Sequence, residues 1–167
     1  MYERIDDWMS TYLTDYTGKK LRNVAKGDLD LGKLGGADAE KREEEAKAAE
    51  GVVKKLKETL GERVSDVRVS ARLTDSPSVL VLAEHDMGLA MQRLMKQAGH
   101  DVPASKPVLE INPAHMLVKR FESEKDHAKA ADLGLILLEQ AQLLEGASLE
   151  DPAAYVRRVN ALLAGER

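Results

Sequence analysis

Apolar positions change period several times along the chain, and each change marks an element. Ile5, Trp8, Met9 and Leu13 recur at helical spacing, with acidic residues ahead of them where the helix dipole favours carboxylates. They predict a short amphipathic helix ended by Thr17-Gly18. A short strand is expected over 21–25. Gly27 to Gly36 holds four glycines and little apolar beyond leucine, which is linker composition. Residues 1 to about 35 therefore read as a unit apart from the remainder. From Ala37 to Leu60 the pattern is one long helix, charge-laced over Glu40–Lys47 and apolar at Val52, Val53, Leu56 and Leu60. Gly51 is its weakest point and Gly61 its expected C-terminal cap.

The period then drops to two. Val67, Val69 and Ala71 alternate with Arg68, Ser70 and Arg72, as in a half-exposed strand. Thr74-Asp75-Ser76-Pro77 is a turn, and Ser78–Ala83 is apolar enough for a central strand. A helix is expected from about His85 to Ala98, then a third strand at Val108–Ile111. Asn112-Pro113 reads as a cap followed by proline at the first helical position. It opens a helix through Leu117, Val118 and Phe121. The next helix runs from about Asp126 to Glu145 and stops at Gly146. Asp151-Pro152 starts the last one, which carries Tyr155, Val156, Val159, Leu162 and Leu163 and ends at Gly165. The expected class is α+β: a small three-stranded sheet, a long N-terminal helix, an exposed amphipathic helix and a C-terminal helical bundle.

Two of these helices carry apolar surface beyond one face. On the helix from Asp126, Leu133, Leu135, Ile136, Leu137, Leu138, Leu143 and Leu144 cover more than half the circumference. Such a helix is either buried within its own chain or shared with another. Packing the last two helices against a two-fold mate would make a four-helix bundle. The helix from His85 lines up Met87, Met91, Leu94, Met95 and Ala98, with three of the chain's six methionines among them. Methionine fills irregular cores, and it also suits surfaces that must accept many partners.

Composition narrows the functions. The chain has 167 residues, room for one domain and part of a second. A net charge of -4 offers no electrostatic basis for binding nucleic acid. The absence of cysteine removes disulfides, thiol nucleophiles and thiolate zinc sites, and fits a reducing cytoplasm. No apolar run reaches the roughly 20 residues of a membrane span, and the start lacks a signal-peptide pattern, so membrane association and secretion are not expected. Of His85, His100, His115 and His127, no two share the spacing of a helical metal pair. His85-Asp86 matches the pair used by metal-dependent phosphohydrolases of the HD type, which also need a histidine upstream; none precedes His85. Asn112 and His115 fit capping roles. No nucleophile elbow or phosphate loop is present, so neither a catalytic nor a metal site is expected.

Four strings occur in order: RIDDWM (Arg4–Met9), LGERVSDVRVSARLTDSP (Leu60–Pro77), LEINPAHMLVKR (Leu109–Arg120) and LEDPAAYVRRVNALL (Leu149–Leu163). Together they resemble the end of the heat-shock protein 90 chaperones of the bacterial HtpG type, over nearly the whole chain apart from the variable Gly27–Lys55 region. The resemblance implies that residues 1–35 are the end of a middle domain with its linker, and that 36–167 are a C-terminal dimerisation domain. It implies a homodimer joined through Leu135, Leu137, Leu138, Leu143, Tyr155, Val159, Leu162 and Leu163. It also implies contacts to unfolded or partly folded client proteins through Trp8, Met87, Met91, Leu94 and Met95. Thr11 and Met95 depart from an amide and an aromatic that a relative carries nearby. The family's ATP and magnesium belong to an ATPase domain with no counterpart in these strings. No cofactor and no enzymatic activity are therefore expected of this chain, and co-chaperones are further partners of the family.

Overall fold

The computed structural model describes residues 15–17, 19–20, 47–70, 73–82, 92, 94–95, 98–100 and 106–165. Two short strands, β1 (Asp15–Tyr16) and β2 (Lys19–Lys20), pair antiparallel. Thr17 takes a φ of 51° between them. Asp15–Tyr16 is thus already paired strand, so no helix runs up to Thr17, which corrects the expectation above. The expected helix at 5–13, the strand at 21–25 and the linker lie outside the described residues.

The main body begins with α1 (Glu50–Leu60), which buries Val52, Leu56 and Leu60. The expected helix from Ala37 is described only over this second half and the residues just before it. Gly61 ends α1 at a φ of 54°, a conformation that suits glycine, and its amide returns to the Lys57 carbonyl. A single 3-10 turn, Gly61–Arg63, leads to the sheet.

The sheet has three strands: β3 (Asp66–Val69), β4 (Ser78–Val81) and β5 (Val108–Ile111). Their order is β3-β5-β4. β5 runs parallel to β3, with Val67 opposite Leu109 and Val69 opposite Ile111. It runs antiparallel to β4, with Leu80 opposite Leu109 and Ser78 opposite Ile111. The apolar run at Ser78 was expected to lie centrally, but the centre belongs to β5. Side chains alternate along each strand, so Val67, Leu80, Leu109 and Ile111 share one face, and all four lie in the core with the helices. The opposite face carries Glu110, nearly buried. Its carboxylate accepts from Arg68 Nε at 3.0 Å and from Ser70 Oγ at 3.0 Å.

The helices α2 (Met116–Ser123), α3 (His127–Leu144) and α4 (Pro152–Ala164) follow. α2 starts a turn later than Asn112-Pro113 suggests. The Asn112 side chain turns inward: its amide donates to the Thr74 carbonyl at 3.0 Å and its oxygen accepts from the Ala114 amide at 3.0 Å. The residue pins the β3–β4 turn, and His115 caps α2 instead, with Nδ1 accepting from the Leu117 amide at 3.1 Å. α3 and α4 begin as expected, with Asp126 and Asp151 accepting from first-turn amides.

Three contacts lock the body. Ser78 Oγ, fully buried, donates to the Leu137 carbonyl at 2.7 Å and ties β4 to α3. Gly134 lets α3 come close to α1: a Cβ there would stand 3.0 Å from Thr59 Cγ2 and 3.3 Å from Leu56 Cδ1. Lys55 Nζ reaches from α1 to the end of α2, donating to the carbonyls of Phe121 (2.8 Å), Glu122 (3.0 Å) and Glu124 (2.7 Å).

Candidate functional site

α3 and α4 form the C-terminal pair from which a self-association surface was expected. The middle of α3 is enclosed by its own chain: Leu133, Ile136, Leu137, Leu138 and Ala141 are all buried. Much of the apolar excess read from the pattern therefore serves the fold of one chain. Leu137 and Leu138, expected at a dimer contact, sit in the core at 1% and 2% exposure and have no surface left to offer. Leu135 is partly buried and packs against the core.

What stays open lies further along. Leu143 and Leu144, at the end of α3, are 45% and 64% exposed. No residue of α4 is fully buried. Its Tyr155, Val159 and Leu162 are half-buried, while Val156 and Leu163 are 52% and 78% exposed. At about 100° per residue, these five side chains occupy one continuous arc of about 120° on α4. One edge of the arc rests on α3 and the other is bare. Of the expected contact residues, Leu143, Tyr155, Val159, Leu162 and Leu163 thus all keep accessible surface, and so do Val156 and Leu144. They carried the same helical signal in the sequence and were outweighed by their neighbours.

Behind the arc, Arg158 of α4 meets Glu139 of α3. Nη2 donates to both carboxylate oxygens, at 2.6 Å to Oε2. The two side chains are only 15% and 13% exposed. Sequence reasoning missed this pair, because nothing in a spacing of nineteen residues on two separate helices announces it.

The methionine segment is described in part. Leu94 is 58% exposed and Met95 is half-buried. The amides of Ala98 and His100 return to the carbonyls of Leu94 and Met95, which closes a helical turn. Met87, Met91 and Trp8 lie outside the described residues.

Among the described residues two carboxylates have lowered pKa values, and neither is on α3 or α4. Glu62 is lowered by its hydrogen bond to Lys106 and by that residue's charge. Asp66 is lowered chiefly by the hydrogen bond from Lys57, at 2.6 Å. Among the described residues no cluster of three or more His, Cys, Asp or Glu could hold a metal ion, and no helix is long and apolar enough to cross a membrane.

The family model described as Hsp90 protein matches residues 1–166. The chain belongs to the Hsp90 family. Chaperone protein HtpG of Halorhodospira halophila (strain DSM 244 / SL1) is 54% identical over 162 residues, 96% of this chain. Those residues are 25% of that relative, so the chain spans about a quarter of the length of the curated relative it matches. The Hsp90 match runs through the methionine segment and both terminal helices, so both candidate surfaces are Hsp90-family sequence.

Proposed function

We propose that this chain is the self-association end of an Hsp90-family chaperone, with residues 36–167 as the dimerising domain and 1–35 as the end of the domain before it. Two copies join through the bare edge of α4 and the end of α3, and together they form a cleft for partly folded clients. The carrying observation is the arc Leu162, Tyr155, Val159, Leu163 and Val156, half-covered by α3 and continuous with exposed apolar side chains. Monomeric surfaces rarely leave such a patch open, and a two-fold axis lets one helix pair cover the same pair on its mate. The test is mass in solution across a wide concentration range. Wild-type chain is expected at twice the monomer mass. Leu163→Glu, a change at an exposed position that leaves the core alone, is expected at the monomer mass with its helix content intact. A wild-type chain that stays monomeric throughout refutes the proposal.

Client contact is the second half of the reading, favoured by the exposure of Leu94 beside Met95. Met87, Met91, Leu94 and Met95, with Trp8, are the residues proposed to hold exposed apolar segments, weakly and broadly, because flexible side chains repack on different partners. ATP-driven movement belongs to the whole chaperone, and this chain supplies the joint. If the module only dimerises, Met91→Ser/Leu94→Ser leaves suppression of client aggregation unchanged. The client-binding reading requires that suppression to fall.

A further inference from the structure

We propose that the Arg158–Glu139 pair is the positioning element of the self-association surface: it fixes how α4 lies on α3, and so where Val156 and Leu163 point, without itself reaching a second copy. This rests on the self-association reading above.

Little else holds α4. It buries no residue completely, so apolar burial secures it less than it secures α1 or α3. A cavity of about 240 Å³, open to solvent, flanks the α3–α4 seam, lined by Leu133, Ile136, Leu162 and Arg158 and by charged side chains that include Lys129 and Asp132. Apolar contact is non-directional, so a helix resting on a loose seam can roll and slide at little cost. The other charged contacts near its start are long and open to water: Arg63–Glu150 at 3.7 Å and Arg157–Asp151 at 3.8 Å. Exposed pairs of that kind contribute little.

The Arg158–Glu139 pair differs on each count. It is nearly dry, it engages both carboxylate oxygens, and a charge-assisted hydrogen bond has a preferred direction that an apolar contact lacks. Removing either partner leaves the other charge to the water of the adjoining cavity and takes away a two-point, directional contact that fixes the roll of α4. Arg158 also sits on the far side of α4 from the bare edge. On a regular helix it is about 160° from Val156 and about 140° from Leu163. The pair is therefore placed to aim the stripe and not to form part of it.

The experiment is sedimentation equilibrium on the whole chain and its variants, with hydrogen exchange as the check on fold. Arg158→Met and Glu139→Gln are each expected to raise the dimer dissociation constant at least tenfold. Protection of α1 and β5 amides should stay at the wild-type level. The exchanged pair, Arg158→Glu/Glu139→Arg, is expected to bring the constant back to within about threefold. A purely structural pair would change melting temperature and leave the dissociation constant alone. Wild-type constants in both single variants overturn the inference, as does an exchanged pair that folds but shows no recovery. If a single variant loses α1 and β5 protection, the exchanged pair decides alone. A dimeric wild type with insensitive variants sinks this inference only, whereas a monomeric wild type sinks the self-association reading and this one with it.

Discussion

Lys55→Met isolates the device that ends α2. The last carbonyls of a helix have no partner within it, and at α2 they converge on one ammonium. Lys55 Nζ donates to the carbonyls of Phe121, Glu122 and Glu124, and stands 4.9 Å from the centre of the Phe121 ring. Methionine keeps most of the stem and removes the donors and the charge. A hydrogen bond to a charged group is worth about 1.5–3 kcal/mol net, which would suggest more than 4 kcal/mol for three. Two corrections bring this down. The site is only part-buried, so carbonyls released by the substitution regain water. Holding a lysine in one geometry also costs up to about 2 kcal/mol of rotamer freedom, part of which methionine recovers. The helix-end charge and the ring contact each add about 0.5–1 kcal/mol. The expected loss is about 2 kcal/mol. In urea, with a slope of about 1–3 kcal/mol/M, the midpoint should fall by about 1 M at unchanged slope. Protein concentration must be held fixed, since self-association shifts apparent stability. Lys54→Met, at the exposed neighbouring position, should change stability by less than about 0.5 kcal/mol. Equal midpoints for Lys55→Met and wild type, or equal losses for both lysines, would refute the capping argument.

Gly134→Ala should destabilise by about 1 kcal/mol in a thermal or urea melt, because overpacking of about 1–3 kcal/mol outweighs a helix-propensity gain of about 1 kcal/mol. Thr59 cannot easily yield, since its Oγ1 donates to the Lys55 carbonyl at 2.7 Å and holds the methyl toward α3; a stabilised variant would contradict this. Ser78→Ala should cost about 1 kcal/mol through the lost bond to the Leu137 carbonyl, an oxygen that keeps its helical bond from four residues on. A loss as large as that of a cavity in the core would show that more than this bond is at stake. The lowered pKa values of Asp66 and Glu62 stabilise the fold while the carboxylates are charged, above the ordinary carboxylate value; that contribution is lost as pH falls below about 4 toward the lowered values. Both pairs are exposed, so the effect is small, and the stability gap between wild type and Lys57→Met should close as pH drops through that range. A gap that widens in acid would reverse the sign.

Elements governed by local chemistry were legible in the sequence. The alternation at Val67 and Val69, the strand at Val108–Ile111 and the caps at Asp126 and Asp151 all stand where their patterns put them. What failed was set by distant contacts. Asn112 has a cap's side chain, but the Thr74 carbonyl and the Ala114 amide claim it, and the helix waits for His115. The nearly continuous apolar run at Ser78 suggested a central strand, yet β5 takes that place because it alone pairs on both sides. The leucines of α3 exceed what one face needs, but periodicity cannot say how much of that surface α1, α2, β4 and α4 cover. The Arg158–Glu139 pair had no signal at all, since each partner reads as an ordinary solvated charge on an amphipathic helix.

The strand order has a consequence for synthesis. β5 is the last of the three strands to leave the ribosome, and it is the only one hydrogen-bonded to both others. Until Ile111 has emerged, β3 and β4 have no partner in this sheet, and Leu56 and Leu80 lack the side chains of β5 and α3 that enclose them. Pairings of this range form slowly, after the chain has closed a long loop. A nascent chain of this family would therefore carry bare apolar strands through much of the domain's translation, and would itself pass through the condition of the unfolded proteins it is proposed to hold.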